Sequence, residues 1–362
     1  MLFLPQRVVN LIIPATECHN FALMKPGELQ ITGVAPSLGV PGGELSITCH
    51  GFKPGLPSSA QVMLGEETVQ IMSASEDRII VRIPDNPRAL GLTLVCEGFT
   101  SPVFPLSIAS RLAIGLHPVM NPAIAPDGAV ITTISGSRGQ QVEHPLVRVS
   151  REGEKQSFAC EIMNPTGVAF GPDSQLYISS RHDGAVYRCR DYEHLELVAE
   201  DLGVACGIAF DSSGALYVGD RAGKIYRIHA SGGRAEFAQL EPSVSAYHLA
   251  MDSQDRLYVT GPTLSMRDCL YRISPHGDVE VLLRGLARPQ GMAFLAEGDL
   301  LLAAAWQGNK GIFRFSPDTC TLSYYIAGPM LVGIAVAGDD IFLVDSSALF
   351  CLRPGGASLQ IA

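Results

Sequence analysis

One unit recurs six times between residues 118 and 352, and no other feature limits the fold of this chain as tightly. The units NPTGVAFGPDSQLYISSRHDGAVYRC (164–189), VACGIAFDSSGALYVGDRAGKIYRI (204–228), SAYHLAMDSQDRLYVTGPTLSMRDCLYRI (245–273) and RPQGMAFLAEGDLLLAAAWQGNKGIFRF (288–315) follow one another. PVMNPAIAPDGAVITTISGSRGQQVEHPLVRV (118–149) precedes them and MLVGIAVAGDDIFLVDSSALFCL (330–352) closes the series. Aligned on Asn121, Gly167, Gly207, His248, Gly291 and Gly333, they lie 46, 40, 41, 43 and 42 residues apart. Each carries three clear strand patterns, and a weaker fourth follows: KQSFAC, LELVAE, AEFAQL, VEVLLR, LSYYIA and SLQIA. A four-stranded unit of this size cannot cover its own two faces, so the units must stack on one another. Six of them predict a six-bladed β-propeller over residues 109–362. ASRLAIGL (109–116) either adds a strand to the last blade or links the domains.

Residues 30–108 have a different pattern. ELSITCHGF, AQVMLGE, TVQIMSAS, RIIVRIP, LTLVCEG and VFPLSIA are short alternating strands between Gly, Pro, Asn and Ser clusters, which predicts a small immunoglobulin-like β-sandwich. The whole chain is therefore expected to be all-β, and its 37 Gly and 24 Pro suit many turns. Residues 1–29 form an N-terminal extension. They lack a basic start, and Pro5, Gln6, Arg7 and Asn10 interrupt the apolar run, so a strand-like extension is expected rather than a signal peptide. Nine single cysteines without a C-x-x-C pair exclude zinc ribbons and suggest free thiols in a reducing, cytoplasmic setting. Cys49 and Cys96 fall on the inward side of two strands, where they are either core thiols or a pair. The formal charge of −10 argues against nucleic-acid or anionic-membrane binding, and no apolar run reaches the ~18 residues of a membrane span.

ITGVAPSLGVPGGELSITCHGF, followed by RIIVRIPDNP, resembles the IPT/TIG family of immunoglobulin-like domains. That likeness implies a spacer or contact module and no catalysis. The P-x-G-[IVM]-A-[FMV]-x-x-x-G-x-L-Y-[IV] units resemble NHL-like propellers and, within them, the senescence-marker/gluconolactonase group. The resemblance implies a divalent metal such as Ca²⁺ on the propeller axis, held by a Glu from the first blade and Asn or Asp from later ones. This sequence has Met120 at the Glu position. The other axial positions are Thr166, Cys206, Tyr247, Gln290 and Val332, none of them Asp or Asn. A hard cation wants several oxygens, preferably carboxylates, so neither a metal nor another cofactor is expected.

The face carrying the loops into the innermost strands offers another polar set: Arg181, His182, Asp220, Arg221, Tyr247, His248, Arg288, Gln290 and Trp306. Arg, Tyr and Trp anchor binding sites through forked hydrogen bonds and rigid area, which suits a small polar or anionic ligand or a protein partner. Structural roles compete for several of them. Asp220, like Asp345, ends a second strand where a carboxylate takes the next loop's N–H groups. His248 stands where four other units have Gly, and Trp306 suits packing. Arg148, Arg188, Arg227, Arg272 and Arg314 recur in the third strand of five of the six units, which points to a shared structural task. The longer loops 135–145 and 261–268 are better functional leads.

No G-x-S-x-G, H-E-x-x-H, P-loop or dinucleotide fingerprint occurs, and Cys206 has only Ala and Gly beside it. No catalytic residue is therefore assigned. The leading expectation is a non-catalytic binding propeller with an immunoglobulin-like spacer. A metal-dependent lactonase or ester hydrolase and a structural or assembly subunit are the alternatives.

Overall fold

Six antiparallel sheets of four strands cover residues 123–158, 165–199, 205–239, 248–286, 292–327 and 333–352, the last completed by the strand Ser110–Ile114. Their innermost strands touch in ring order, and the first touches the sixth, so the sheets close into a six-bladed propeller. The computed structural model describes residues 28–55, 59–137, 139–265 and 267–354. Residues 1–27 of the expected extension and the SLQIA strand lie outside these. Among the described residues there is no helix, and hence none long and apolar enough to cross a membrane.

The aligned position of each repeat sets how closely the blades approach. A Cβ on Gly167 would stand 2.6 Å from the Cys206 carbonyl oxygen, and one on Gly291 would stand 2.8 Å from that of Val332. The same closeness lets Gly207 N–H bond Tyr247 O at 3.0 Å and Gly291 N–H bond Val332 O at 2.9 Å, across neighbouring blades. Two blades replace the glycine with a polar staple. Asn121 donates to Met292 O (2.8 Å) and accepts from Ile334 N–H (3.0 Å), while His248 Nε2 meets Gln290 Oε1 at 3.0 Å. Buried Val, Ile, Leu, Tyr and Phe fill the spaces between blades, each fully buried aliphatic contributing about 1.5–3 kcal/mol.

The strand Ser110–Ile114 settles the question left at 109–116. It pairs antiparallel with Ala348–Leu352 and forms the outer strand of blade 6. Chain from before blade 1 therefore completes the last blade. Asp340, in blade 6, binds Arg353 (2.7 Å) and also Arg151, which follows the third strand of blade 1.

Two small sheets occupy residues 30–105. One orders Gln30–Ala35, Glu44–His50, Arg78–Arg82 and Gln70–Ala74; the other orders Phe104–Pro105, Gly91–Cys96, Ala60–Leu64 and Glu67–Thr68. They share one apolar core through Ile47, Val81, Val62 and Leu94, and that core reaches Ala327 of blade 5. Leu38–Gly39 pairs in parallel with Ile326–Ala327, and Ser107–Ile108 adds outside it, so blade 5 is extended to six strands. Cys49 and Cys96 lie buried in the shared core as free thiols.

Candidate functional site

The axis is packed rather than open. Met120, Cys206 and Ala246 form a buried apolar plug, with Val119 and Val204 against it. A cavity of about 10 Å³, room for roughly one water, lies beside it, lined by Met120, Asn121, Gly167, Gly207 and Leu249 among others. That is below the roughly 300–1,000 Å³ of ordinary small-molecule sites. Burial pushes the Cys206 thiol up to about 12, and the nearby charges of Arg181 and Arg221 only partly oppose this. The thiol donates to Val204 O at 3.1 Å.

The nine candidate residues divide between the interior and the surface. Tyr247 is expected to reach the axis and His248 either to bind or to line it as a structural histidine; the structure buries both, His248 fully. Burial drives the His248 pKa down to about 4, and it raises that of Tyr247. Among the described residues neither the Tyr247 hydroxyl nor His248 Nδ1 has a hydrogen-bond partner. Gln290 is tied to His248, and its carbonyl accepts from Thr260 Oγ1 at 2.9 Å. Asp220 is 4% exposed and accepts from the backbone N–H of Val204 (2.9 Å) and Ala222 (3.1 Å), a loop-holding role. Trp306 ends the strand Leu300–Trp306 and packs edge-on against Phe313 at 6.2 Å. His182, Arg221 and Arg288 are exposed and Arg181 is half-buried.

These four lie on the upper face, where loops into the innermost strands meet those joining the second and third strands. Arg181 Nη2 donates to Gly136 O (2.9 Å) and Arg221 Nε to Ser243 O (3.4 Å). Arg288 has φ 49°, and its N–H donates to Asp268 Oδ2 at 3.0 Å. Among the described residues none of these three guanidinium groups forms an ion pair. On the opposite, lower face the recurrent arginines are all paired: Arg148 with Asp127, Arg188 with Asp173 (2.6 Å), Arg227 with Asp211 (3.1 Å), Arg272 with Glu280 (2.6 Å) and Arg314 with Asp299 (2.6 Å).

Sequence reasoning missed the residues that hold the upper loops in place. Asn164, 2% exposed, donates to Gly136 O and Ser137 O, each at 3.0 Å, and accepts from Gly139 N–H at 3.1 Å, which fixes the long loop after blade 1's second strand. Asp268 and Ser243 do the same for blade 4. Asp268, which ends the 261–268 loop, offered a local signal; Asn164, well beyond the 135–145 loop in the chain, offered none.

The residues present do not fit a divalent metal on the axis. Thr166 Oγ1 donates to Asn164 O and Gln290 Oε1 is bound to His248, so the axial ring has no carboxylate and no uncommitted oxygen pair. Among the described residues no three of His, Cys, Asp and Glu converge as metal ligands.

Fold and site together define a β-propeller with a plugged axis and an upper face on which, among the described residues, Arg181, Arg221 and Arg288 form no ion pair. A family model, "Strictosidine synthase-like, N-terminal", matches residues 207–228, within the first three strands of blade 3. Curated sequences give no match. A structure assigned as a gluconolactonase is similar at 16% identity and TM-score 0.57, covering 68% of this chain and 92% of its own. An auxiliary nutrient binding protein from Bacteroides ovatus has 10% identity and TM-score 0.52, covering 90% and 97%. PQQ-bound aldose sugar dehydrogenase from Streptomyces coelicolor has 20% identity and TM-score 0.53, covering 67% and 96%. At such identities the likeness concerns the fold, since propellers host unrelated activities.

Proposed function

We propose that this chain is a non-catalytic binding propeller that holds a small anionic ligand, or an anionic group of a partner, on its upper face. The observation that carries the reading is that, among the described residues, Arg181, Arg221 and Arg288 have no carboxylate partner, in a chain of net charge −10 whose five recurrent third-strand arginines are all paired. A guanidinium fork without a protein carboxylate can take an external carboxylate or phosphate.

The donor set argues in the same direction. Metal-assisted hydrolysis needs an ion held by charged oxygens next to an activated water, and the axial residues supply none. Cys206 is a protonated, buried thiol and His248 a buried neutral imidazole, so neither a thiolate nor an accessible base stands at the axis. The 30–108 unit, read as an immunoglobulin-like module of the IPT/TIG kind, is a rigid spacer or second contact. Eight free thiols among the described residues support a reducing, cytoplasmic setting.

The test is a melting series of the full chain with phosphate, citrate, Ca²⁺, Mg²⁺, Mn²⁺ and Zn²⁺, together with metal analysis of the purified protein. A native-state ligand raises the midpoint by mass action. A rise with the anions that Arg181→Ala or Arg221→Ala abolishes supports the reading. One tightly bound metal per chain together with lactone hydrolysis would sink it.

A further inference from the structure

We infer that the upper-face corner of blades 3, 4 and 5 docks an acidic peptide segment carrying a large apolar side chain; this rests on the binding reading above and names its ligand class. Hydrogen bonds tie the corner into one surface. Arg221 of blade 3 reaches Ser243 O, and Ser243 Oγ donates to Ala246 O (3.1 Å) and Pro262 O (2.9 Å). Val244 N–H also donates to Pro262 O at 2.8 Å. From there Thr263 N–H and Oγ1 both donate to Asp268 Oδ1, at 2.7 and 2.8 Å, and the other oxygen of Asp268 takes the N–H of Arg288 from blade 5.

Two kinds of group project from this frame. Arg221, Arg267 and Arg288 are exposed, and none of them forms an ion pair among the described residues. Leu264 is 88% exposed and Val244 41% exposed on the two loops that Pro262 joins. Among the described residues no local carboxylate is ion-paired with these guanidinium groups. Asp220 and Asp268 are buried and spent on N–H donors, and exposed Glu241 makes no ion pair with any of the three.

Charge complementarity and the apolar tips select the occupant. A free phosphate or carboxylate satisfies the arginines and leaves Leu264 and Val244 in water. An acidic segment with a leucine-like side chain covers both, and burying apolar area contributes about 25 cal/mol per Å². A membrane surface would also receive apolar tips, but a net charge of −10 is repelled by anionic headgroups. Asp268 and Ser243 hold the loops in shape before binding, which lowers the ordering cost.

The experiment selects a random twelve-residue peptide library against the immobilised full chain, then titrates enriched peptides against wild type, Arg288→Glu, Arg221→Ala and Leu264→Ser. All three substitutions are at exposed side chains, and unchanged melting midpoints verify folding. The expected result is enrichment of Asp or Glu flanking Leu, Ile or Phe, with about tenfold weaker binding to each variant and weakening by added salt. Enriched peptides that bind the Leu264→Ser and Arg288→Glu proteins as tightly as wild type would overturn the inference. So would binding to phosphatidylserine vesicles without peptide enrichment. If phosphate or citrate binds in an Arg181- and Arg221-dependent way and no acidic peptide is enriched, the peptide inference fails and the binding reading stands. If neither binds, both fail.

Discussion

The two faces of the propeller use the same residue for opposite ends. On the lower face, the first hairpin turn of a blade carries an Asp that accepts the N–H two residues on, as Asp127 does from Ala129, Asp173 from Gln175, Asp211 from Ser213 and Asp252 from Gln254. In blades 1, 2 and 3 the third-strand arginine then neutralises the same carboxylate, and Arg256 does so for Asp252. One Asp thus closes a turn and ties two strands together. On the upper face, Asp220 and Asp268 spend both turn and loop contacts on N–H groups and leave the arginines beside them unmatched. The comparison teaches that repetition marks the structural use of a charge, and departure from repetition marks a charge left for something else.

The sharpest way to break this contrast is at Asp211. Its carboxylate is 8% exposed as a residue and holds Ser213, Ala215, Tyr217 and Arg227. Asp211→Ala should cost about 3–4 kcal/mol in urea unfolding, because Arg227 loses its partner and several donors lose their acceptor. A loss below about 1 kcal/mol would remove the lower-face account.

Next in size is the interior between the faces. The unfolded His248 titrates near 6.5, whereas in the fold burial holds it at about 4. Between those values the unfolded chain takes up a proton that the folded one refuses. This contribution to stability is therefore present above about pH 6.5 and is lost as pH falls toward 4, by on the order of 2–3 kcal/mol. His248→Gln should show a smaller drop in melting midpoint from pH 7 to pH 4.5 than wild type. Equal drops would rule the assignment out.

Smaller again is Arg181→Ala, which gives up one bond to Gly136 O and should cost about 1 kcal/mol. Limited proteolysis within 135–145 should quicken in that variant, and an unchanged cleavage rate would count against a loop-holding share for Arg181. Smallest of all, Arg221→Ala and Arg288→Ala should change stability by less than about 0.5 kcal/mol while reducing anion binding. A large stability loss there would make the upper-face arginines structural after all.

The blades were legible because a period of about 42 residues with alternating strands has one economical packing solution, and Gly167, Gly207, Gly291 and Gly333 mark where the strands crowd. The third-strand arginines were legible as structural for the same reason. The candidate site was only half legible. Arg181, Arg221 and Arg288 lie in upper-face loops, while Tyr247 and His248 turn inward; for His248 the sequence left a binding and a structural role open, since a loop position does not say which way a side chain faces. Asn164 and Asp268 went unnoticed because their partners are backbone groups up to 28 residues away.

By itself the sequence determined the repeat, the strand pattern and the missing carboxylate at Met120, since each is a local property of residue type and spacing. Tertiary structure decided the rest. It made Ser110–Ile114 the outer strand of blade 6, added Leu38–Gly39 to blade 5, and matched the recurrent third-strand arginines to carboxylates while, among the described residues, giving Arg181, Arg221 and Arg288 no ion pair. Edge pairing and charge matching join residues that chain proximity does not, so ring closure and loop geometry choose the partners.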